Sequence, residues 1–346
     1  MNKKLIFFAL LSIQVGLHAQ SDESISQKLD RKVDSVRDRI SEEFFIKLGG
    51  LQQWITIRGI NKNAPVLLLV HGGPGDVQSI IPSAYAIYER DFLIVQWDQR
   101  GSGKSYGEYK DNTPNLNLEQ LTDDGIELAN YLKNRFKKKV IVLGHSFGTA
   151  IATEMVTKRP ELFAAYVGTG QIASWSESVQ WQFDFLKNKA VQSNDTAMLN
   201  ELLLIDKPDP TNAEQYFKFT RPLRKYFATS DAIWLKGLRE LATVLPKADL
   251  ENLGNGMDFS GRVLLPIQMK EKLSTTSLMF KVPYLIIQGQ EDIMTPTEPA
   301  LKYFNNITAP KKGQVVLENA GHFALVTHSA AFKEALIKLL SETRLP

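Results

Sequence analysis

The stretch VIVLGHSFG, residues 140–148, joins a short apolar run to a serine that stands between two glycines. Four apolar residues in succession, Val140 to Leu143, are typical of a strand that is buried on both faces of a sheet. A helical pattern begins near Phe147. A sharp turn from strand to helix predicts a strained backbone at Ser146, and it requires flanking residues without side chains. The stretch therefore predicts a serine hydroxyl that projects at the end of a buried strand.

Other short apolar runs alternate with helical patterns along the chain. One helix is predicted over Leu118 to Asn134, because Asn117 and Gln120 have the spacing of a capping box. Buried strands that are separated by helices are typical of a parallel sheet. The further predicted strands are Val66 to Val70, Phe92 to Gln96, Ala164 to Val167, Tyr284 to Gln288 and Val315 to Leu317. The predicted fold class is α/β with a mostly parallel central sheet.

Two segments depart from this alternation. Phe44 to Leu48 and Leu51 to Ile57 are joined by Gly49-Gly50, which predicts an antiparallel hairpin. The long interval before Tyr284 has helical patterns rich in aromatic residues and no signal of a buried strand. The predicted organisation is a core of residues 44–171 and 282–346, with a helical cap of residues 172–281 inserted between its two parts.

The N-terminal residues have the pattern of an export signal. Met1 to Lys4 is cationic, Leu5 to Leu17 is apolar and uncharged, and a small residue follows where signal peptidase can cleave. About 13 apolar residues are too few to span a bilayer. We therefore predict a signal peptide over residues 1–19, export to the periplasm or the medium, and no stable membrane insertion of the mature chain. Residues 20–43 are predicted to form an amphipathic helix, because apolar residues recur every three or four positions.

The composition excludes several classes of function. The 346 residues carry a net charge of +3 with both signs interspersed, so no basic face for nucleic acid is predicted. The chain has no cysteine, which excludes disulfides and a thiolate nucleophile. The run from Gly101 to Ser105 resembles the end of a phosphate-binding loop, but Asp98 stands where that loop requires glycine. No spacing typical of a metal site is present, and no cofactor is predicted.

A serine hydroxyl becomes a strong nucleophile when a histidine takes its proton and an acid orients that histidine. His322 lies in a glycine-containing loop directly after the last predicted strand, whereas His328 lies where the closing helix is predicted to begin. We predict His322 as the base. Glu291 and Asp292 both follow the preceding strand, at the carboxyl end of a parallel strand where such sites assemble. Either carboxylate fits the chain order of serine, acid and histidine.

A glycine-rich loop, His71 to Gly75, follows the first strand predicted to be buried on both faces. When a serine attacks a carbonyl group, negative charge develops on the carbonyl oxygen, and two backbone N–H groups can stabilise it. We predict the N–H groups of Gly73 and Phe147 as this oxyanion hole.

Four motifs together resemble the proline iminopeptidase group of α/β-hydrolases. They are the loop from His71 to Gly75, the run from Trp97 to Gly103, the turn at Ser146 and the loop from Gly289 to Asp292. The resemblance covers the chain from about Phe44 to its C-terminus. It implies the α/β-hydrolase fold, Asp292 as the acid of the triad, and release of an N-terminal residue, often proline, from short peptides.

The same resemblance implies that carboxylates of the cap hold the free amine of the substrate, and Glu177 is the candidate. Three functions are compatible with these residues. The first is an aminopeptidase or amide hydrolase that acts on a short peptide or another small molecule beneath the cap. The second is a carboxylic-ester or lactone hydrolase with the same triad. The third is a binding protein that keeps the fold without catalysis.

Overall fold

The central sheet is mixed, and most of its strands are parallel. The computed structural model describes residues 38–205, 208–269 and 278–343. The strands are β1 (Ile40–Leu48), β2 (Leu51–Gly59), β3 (Val66–Val70), β4 (Leu93–Trp97), β5 (Val140–His145), β6 (Phe163–Thr169), β7 (Tyr284–Gly289) and β8 (Lys312–Leu317). They form one sheet in the order β1-β2-β4-β3-β5-β6-β7-β8. The pairs β1–β2 and β2–β4 are antiparallel and the other pairs are parallel, so the predicted sheet is confirmed.

Helices pack on both faces of this sheet, which explains why the central strands are apolar at every position. In β3, Leu67 and Leu69 enter one apolar cluster with the C-terminal helix, and Leu68 enters a second cluster on the opposite face. The helices are α1 (Gly103–Tyr109), α2 (Leu118–Phe136), α3 (Phe147–Lys158), α4 (Trp175–Gln192), α5 (Thr196–Leu203), α6 (Ala213–Thr220), α7 (Thr229–Ala242), α8 (Lys247–Gln268), α9 (Thr297–Asn306), α10 (Ala324–Thr327) and α11 (Ser329–Glu342). The N-cap predicted for α2 is confirmed, since Asn117 accepts the N–H of Gln120 at 2.8 Å.

The first strand begins earlier than the sequence predicts. The predicted signal peptide and most of the predicted amphipathic helix lie outside the described residues. Residues 40–43, which were predicted to end that helix, instead form the start of β1, so the predicted C-terminal end of the helix was wrong. Ile40, Phe44 and other apolar residues here recur at intervals of four, and residues four apart also share one face of a strand. Pairing with β2, from Ile40 opposite Gly59 onward, selects the extended conformation.

The segment between β6 and β7 contains the helices α4 to α8, which form a cap with its own apolar centre. Val179, Phe183 and Leu186 of α4 pack with Leu202 of α5 and Phe219 of α6. The cap also contacts loops at the carboxyl ends of the strands. For example, the hydroxyl of Ser260 on α8 donates a hydrogen bond to the carbonyl oxygen of Gly101 at 2.8 Å.

The motif from Trp97 to Gly103 forms the end of β4 and the loop after it, and its side chains hold neighbouring segments together. The buried carboxylate of Asp98 accepts the N–H of Lys104 at 2.9 Å and the hydroxyl of Ser79 at 2.6 Å. Burial raises the pKa of Asp98 to about 6, against these two hydrogen bonds. The run that resembled a phosphate-binding loop thus begins α1, and Ser105 donates to the carbonyl oxygen of Asp98 at 2.5 Å.

A fully buried ion pair connects the same motif to α2 and to the hairpin. The guanidinium of Arg100 donates to Asp124 through Nε at 2.8 Å and through a terminal nitrogen at 3.0 Å. Gln53 donates to the same carboxylate at 2.7 Å and accepts the indole N–H of Trp97 at 2.8 Å. The side chains of Arg100 and Asp124 are 1% and 0% exposed, so each charge depends on the other for compensation.

Replacing Asp124 with alanine is expected to lower the free energy of unfolding by about 3–5 kcal/mol, because Arg100 is then left as an uncompensated buried charge. Asp123→Ala is the matched control. Asp123 pairs with Lys158 at the surface, where a salt bridge contributes about 0–1 kcal/mol. Urea unfolding of both variants, followed by circular dichroism, measures the difference. Equal losses in the two variants would contradict this account of the ion pair.

Candidate active site

Ser146 occupies the turn between β5 and α3, in the backbone conformation that the sequence predicts. Its φ and ψ angles are 52° and −125°, a region that side chains of L-amino acids rarely adopt, so the predicted strain is confirmed. Its N–H donates to the carbonyl oxygen of Thr169 on β6 at 3.0 Å. Gly148 allows α3 to approach β3, because a Cβ atom at this position would overlap the carbonyl oxygen of Val70.

The structure brings together His322 and Asp292. Nδ1 of His322 lies 2.9 Å and 3.2 Å from the two carboxylate oxygens of Asp292. The same carboxylate accepts the backbone N–H groups of Met294 and Thr295, both at 2.9 Å, and the side-chain amide of Gln288 at 3.0 Å. Asp292 is therefore buried in a fixed orientation with its negative charge compensated.

Glu291 and His328, the alternatives for the acid and the base, do not form this hydrogen-bonded pair. Glu291 is exposed, whereas Asp292 beside it is buried. His328 precedes α11, and its ring contacts the hydroxyl of Thr327 at 3.0 Å. Of Glu291, Asp292, His322 and His328, the acid and the imidazole within hydrogen-bond distance of each other are thus Asp292 and His322.

The surroundings of His322 favour its role as a base. Burial alone lowers the pKa of this imidazole, but the charge and hydrogen bond of Asp292, together with the charges of Asp231 and Asp76, outweigh it, so the pKa is raised above 6.5. Since Asp292 accepts the proton on Nδ1, Nε2 is left with its lone pair. This tautomer is the one that accepts a proton from a hydroxyl group.

His145, next to Ser146 in the chain, connects the turn with the base. Its Nε2 donates to the carbonyl oxygen of His322 at 3.1 Å, and the two rings lie 4.8 Å apart between centroids. Burial, followed by repulsion from His322, lowers the pKa of His145 to about 4, so this ring stays neutral. The sequence showed that His145 adjoins Ser146, but it did not reveal the contact with His322.

The glycine-rich loop lies directly against the serine. A Cβ atom on Gly72 would come within 2.7 Å of the Cβ atom of Ser146. His71 fixes this loop to the Trp97 to Gly103 motif, because its Nε2 accepts the N–H of Gln99 at 3.2 Å and its carbonyl oxygen accepts the Gln99 side chain at 3.0 Å. Of the predicted N–H donors, Gly73 thus adjoins Gly72, which lies against Ser146, and Phe147 directly follows Ser146 in the chain.

An apolar pocket lies between the cap and the start of α3. Its walls include Phe147 and Ala150 of α3, Ile172 after β6, and Leu264 of α8. Gln268 contributes a buried amide oxygen that has no hydrogen-bond partner among the described residues. With a volume of about 10 Å³, this cavity has room for little more than one water molecule.

Glu177 lies at the surface of α4, where its carboxylate is already paired. Lys302 of α9 donates to it at 2.9 Å, and the Glu177 side chain is 43% exposed. This ion pair argues against the amine contact that the resemblance implies for Glu177.

Comparison with known proteins gives the class to which this fold and site belong. The family described as alpha/beta hydrolase fold matches residues 65–329, so the chain belongs to the α/β-hydrolase family. It is similar to the probable aminopeptidase YbaC of Bacillus subtilis, with 26% identity over 84% of this chain and 93% of that protein. It is also similar to the proline iminopeptidase of Lactobacillus crispatus, with 24% identity over 85% of this chain and 96% of that protein.

A solved structure agrees with this class. The proline iminopeptidase-related protein of Thermus thermophilus superimposes with a TM-score of 0.61 and 19% identity, over 88% of this chain and 98% of that one. In the part of the chain that the structure describes, no helix is long and apolar enough to cross a membrane. Over the same residues, no group of three or more His, Asp and Glu side chains is placed to hold a metal ion.

Proposed function

We propose that this protein is a serine hydrolase in which Ser146 is the nucleophile, His322 the general base and Asp292 the residue that orients the base. The observation that carries the proposal is the buried hydrogen bond between Nδ1 of His322 and Asp292. Ser146, whose backbone is strained, adjoins His145, and the ring of His145 donates to the carbonyl oxygen of His322. Strained residues persist where the surrounding structure imposes their conformation, and they cluster at sites of chemistry. A purely structural role explains neither the strained backbone of Ser146 nor the buried pair of His322 and Asp292.

The proposed reaction proceeds through an acyl-enzyme. Nε2 of His322 takes the proton of the Ser146 hydroxyl as its oxygen attacks the substrate carbonyl carbon. The N–H groups of Gly73 and Phe147 stabilise the oxyanion that forms. When the intermediate collapses, His322 returns the proton to the leaving group and the acyl group stays on Ser146. Water then attacks the ester carbonyl with His322 again as base, which releases the acid and restores the serine.

We propose short peptides with a free N-terminus as the substrates, so that the reaction is that of an aminopeptidase. The full-length similarity to a probable aminopeptidase and to a proline iminopeptidase supports this choice. A cap is also compatible with small substrates, and residues of its helices contact the loops that carry Asp292 and His322.

Hydrolysis of small carboxylic esters is the second candidate, and two observations favour it. The expected amine-binding carboxylate, Glu177, is paired with Lys302 at the surface. The small cavity beside Phe147 is lined mainly by apolar side chains and by no charged one, so it offers no carboxylate for a free amine. The triad and its mechanism are the same in both candidates, so only the substrate differs.

A panel of substrates separates the two candidates. We expect amide cleavage from proline and other aminoacyl naphthylamides, with slower turnover of short-chain nitrophenyl esters. N-acetylation of the naphthylamides is the matched control, because it removes the free amine and leaves the scissile bond unchanged. Fast ester turnover without amide cleavage would refute the aminopeptidase proposal. If a fluorophosphonate fails to label Ser146, as detected by peptide mass spectrometry, the serine hydrolase proposal is refuted as well.

A further inference from the structure

A buried carboxylate of the cap binds the backbone of the base. Asp231 lies on α7, and its two oxygens accept the N–H of His322 at 2.6 Å and the N–H of Phe323 at 3.2 Å. Asp231 is only 2% exposed. Gly321 permits this approach, because a Cβ atom at that position would overlap the Asp231 carboxylate.

A second cap residue binds the loop of the acid. Gln182 lies on α4 and is also 2% exposed. Its amide nitrogen donates to the carbonyl oxygens of Ile293 and Met294, each at 3.0 Å. These are the two residues that directly follow Asp292. Two different helices of the cap therefore reach the two core loops that carry the acid and the base.

We propose that the cap positions the catalytic pair, with Asp231 as a positioning residue for His322 and Gln182 as a positioning residue for the loop of Asp292. This inference rests on the proposed serine hydrolase function. It assigns the cap a task beyond covering the site, because the geometry of the catalytic pair depends on hydrogen bonds that the cap supplies.

The hydrogen bonds around His322 show why this contact matters. Asp292 binds its Nδ1, His145 binds its carbonyl oxygen, and Asp231 binds its N–H. Over the residues that the structure describes, the N–H of His322 donates to Asp231 of the cap and to no group of the core. Because a displacement of about 1 Å in a reacting group can cost about 10²-fold in rate, loss of the third contact is expected to reduce catalysis.

The charge of Asp231 also acts on the imidazole. Burying a carboxylate is costly, whereas a neutral amide oxygen could accept one backbone N–H at a smaller desolvation cost, although more weakly. The charged groups that face His322 are Asp292, Asp231 and Asp76, and His145 lies beside it as a neutral ring. All three carboxylates raise the pKa of His322, so removing the charge at Asp231 lowers it.

The test compares Asp231→Asn with Gln182→Met in the full-length protein. Asn keeps the shape and one acceptor of Asp231 but removes the charge, and Met keeps the length of Gln182 but removes the donor. The matched control is Glu240→Gln, an exposed acid on α7 that pairs with Lys236. For each variant, kcat, KM and the pH profile of kcat/KM are measured on the best substrate of the panel. The concentration of active sites that enters kcat is determined by titration with the fluorophosphonate.

We expect both variants to lower kcat by about 10–100-fold with little change in KM, since the substrate contacts remain. The acidic limb of kcat/KM is expected to move to lower pH in Asp231→Asn and to stay unchanged in Gln182→Met. Glu240→Gln keeps the kinetics of the unmodified protein. Normal kcat and an unmoved limb in Asp231→Asn overturn the proposal, even if its melting temperature falls, because that result describes a purely structural residue.

The two proposals fail in distinguishable ways. If the unmodified protein takes up no fluorophosphonate, the serine hydrolase function is refuted and the positioning role falls with it. If the unmodified protein is labelled and active, only the kinetics of the two cap variants decide the positioning role. Should Asp231→Asn fail to fold, Gln182→Met decides on its own, and normal kcat in that variant overturns the proposal.

Discussion

Replacing Ser146 with alanine is expected to lower kcat by roughly 10³- to 10⁶-fold while the protein remains folded. The loss is large because no acyl-enzyme forms without the hydroxyl, and the histidine and the acid then have no proton to move. Residual activity above the uncatalysed rate comes from the oxyanion hole and from substrate binding. The measurement is steady-state turnover on the best substrate of the panel, with circular dichroism to verify the fold.

Ser176→Ala is a suitable control, because Ser176 is an exposed serine on α4 whose hydroxyl lies 3.1 Å from the hydroxyl of Ser174, away from the catalytic pair. It is expected to keep full activity and full labelling by a fluorophosphonate. Turnover by Ser146→Ala at the rate of the unmodified protein would remove Ser146 from the mechanism. The strained turn at Ser146 would then be a feature of the fold without a catalytic role.

Replacing His322 with alanine is expected to lower kcat as far as the serine variant does, because the triad acts as a unit. His328→Ala is the matched control. Its imidazole contacts the side chain of Thr327 at the end of α10, so activity is expected to stay within about threefold. Both variants are assayed at a pH above the raised pKa of His322, where the unmodified base is neutral.

The pH dependence supplies a second check on the base. His322 must be neutral to accept a proton, and its pKa is raised above 6.5 mainly by Asp292 acting against burial. Activity of the unmodified protein is therefore expected to fall as the pH drops through that raised pKa, which kcat/KM reports for the free enzyme. Similar losses of kcat in His322→Ala and His328→Ala would mean that the base was misassigned.

Much of the fold could be predicted because the central strands are buried on both faces. Such strands are apolar throughout, and the predicted bounds of β3 agree with the structure. The antiparallel edge was harder to predict. In β1 every second residue is half-buried, and its apolar residues at intervals of four also fit a helix. Only the pairing with β2, which is a non-local contact, distinguishes the two conformations.

The candidate site shows a similar division. Ser146, Asp292 and His322 could be proposed from the sequence because each lies directly after a recognisable strand, within a short motif. Asp231 could not, since it is one acid among many charged residues of the cap and about 90 residues from His322 in the chain. Its contact with the base depends on how α7 packs over the loop after β8. For Glu177 the prediction and the structure disagree. The family resemblance suggested that Glu177 binds the amine of the substrate, but its ion pair with Lys302 disfavours this role.

The insertion point of the cap between β6 and β7 has a consequence for the order in which function develops during synthesis. A ribosome completes the segment with Ser146 first, then the cap, and only afterwards the segments with Asp292 and His322. A nascent chain that ends within the cap therefore holds the proposed nucleophile without the proposed acid and base. In such a chain the hydroxyl stays inert toward neighbouring proteins until β7 and β8 join the sheet, and premature termination before them yields fragments without hydrolytic activity.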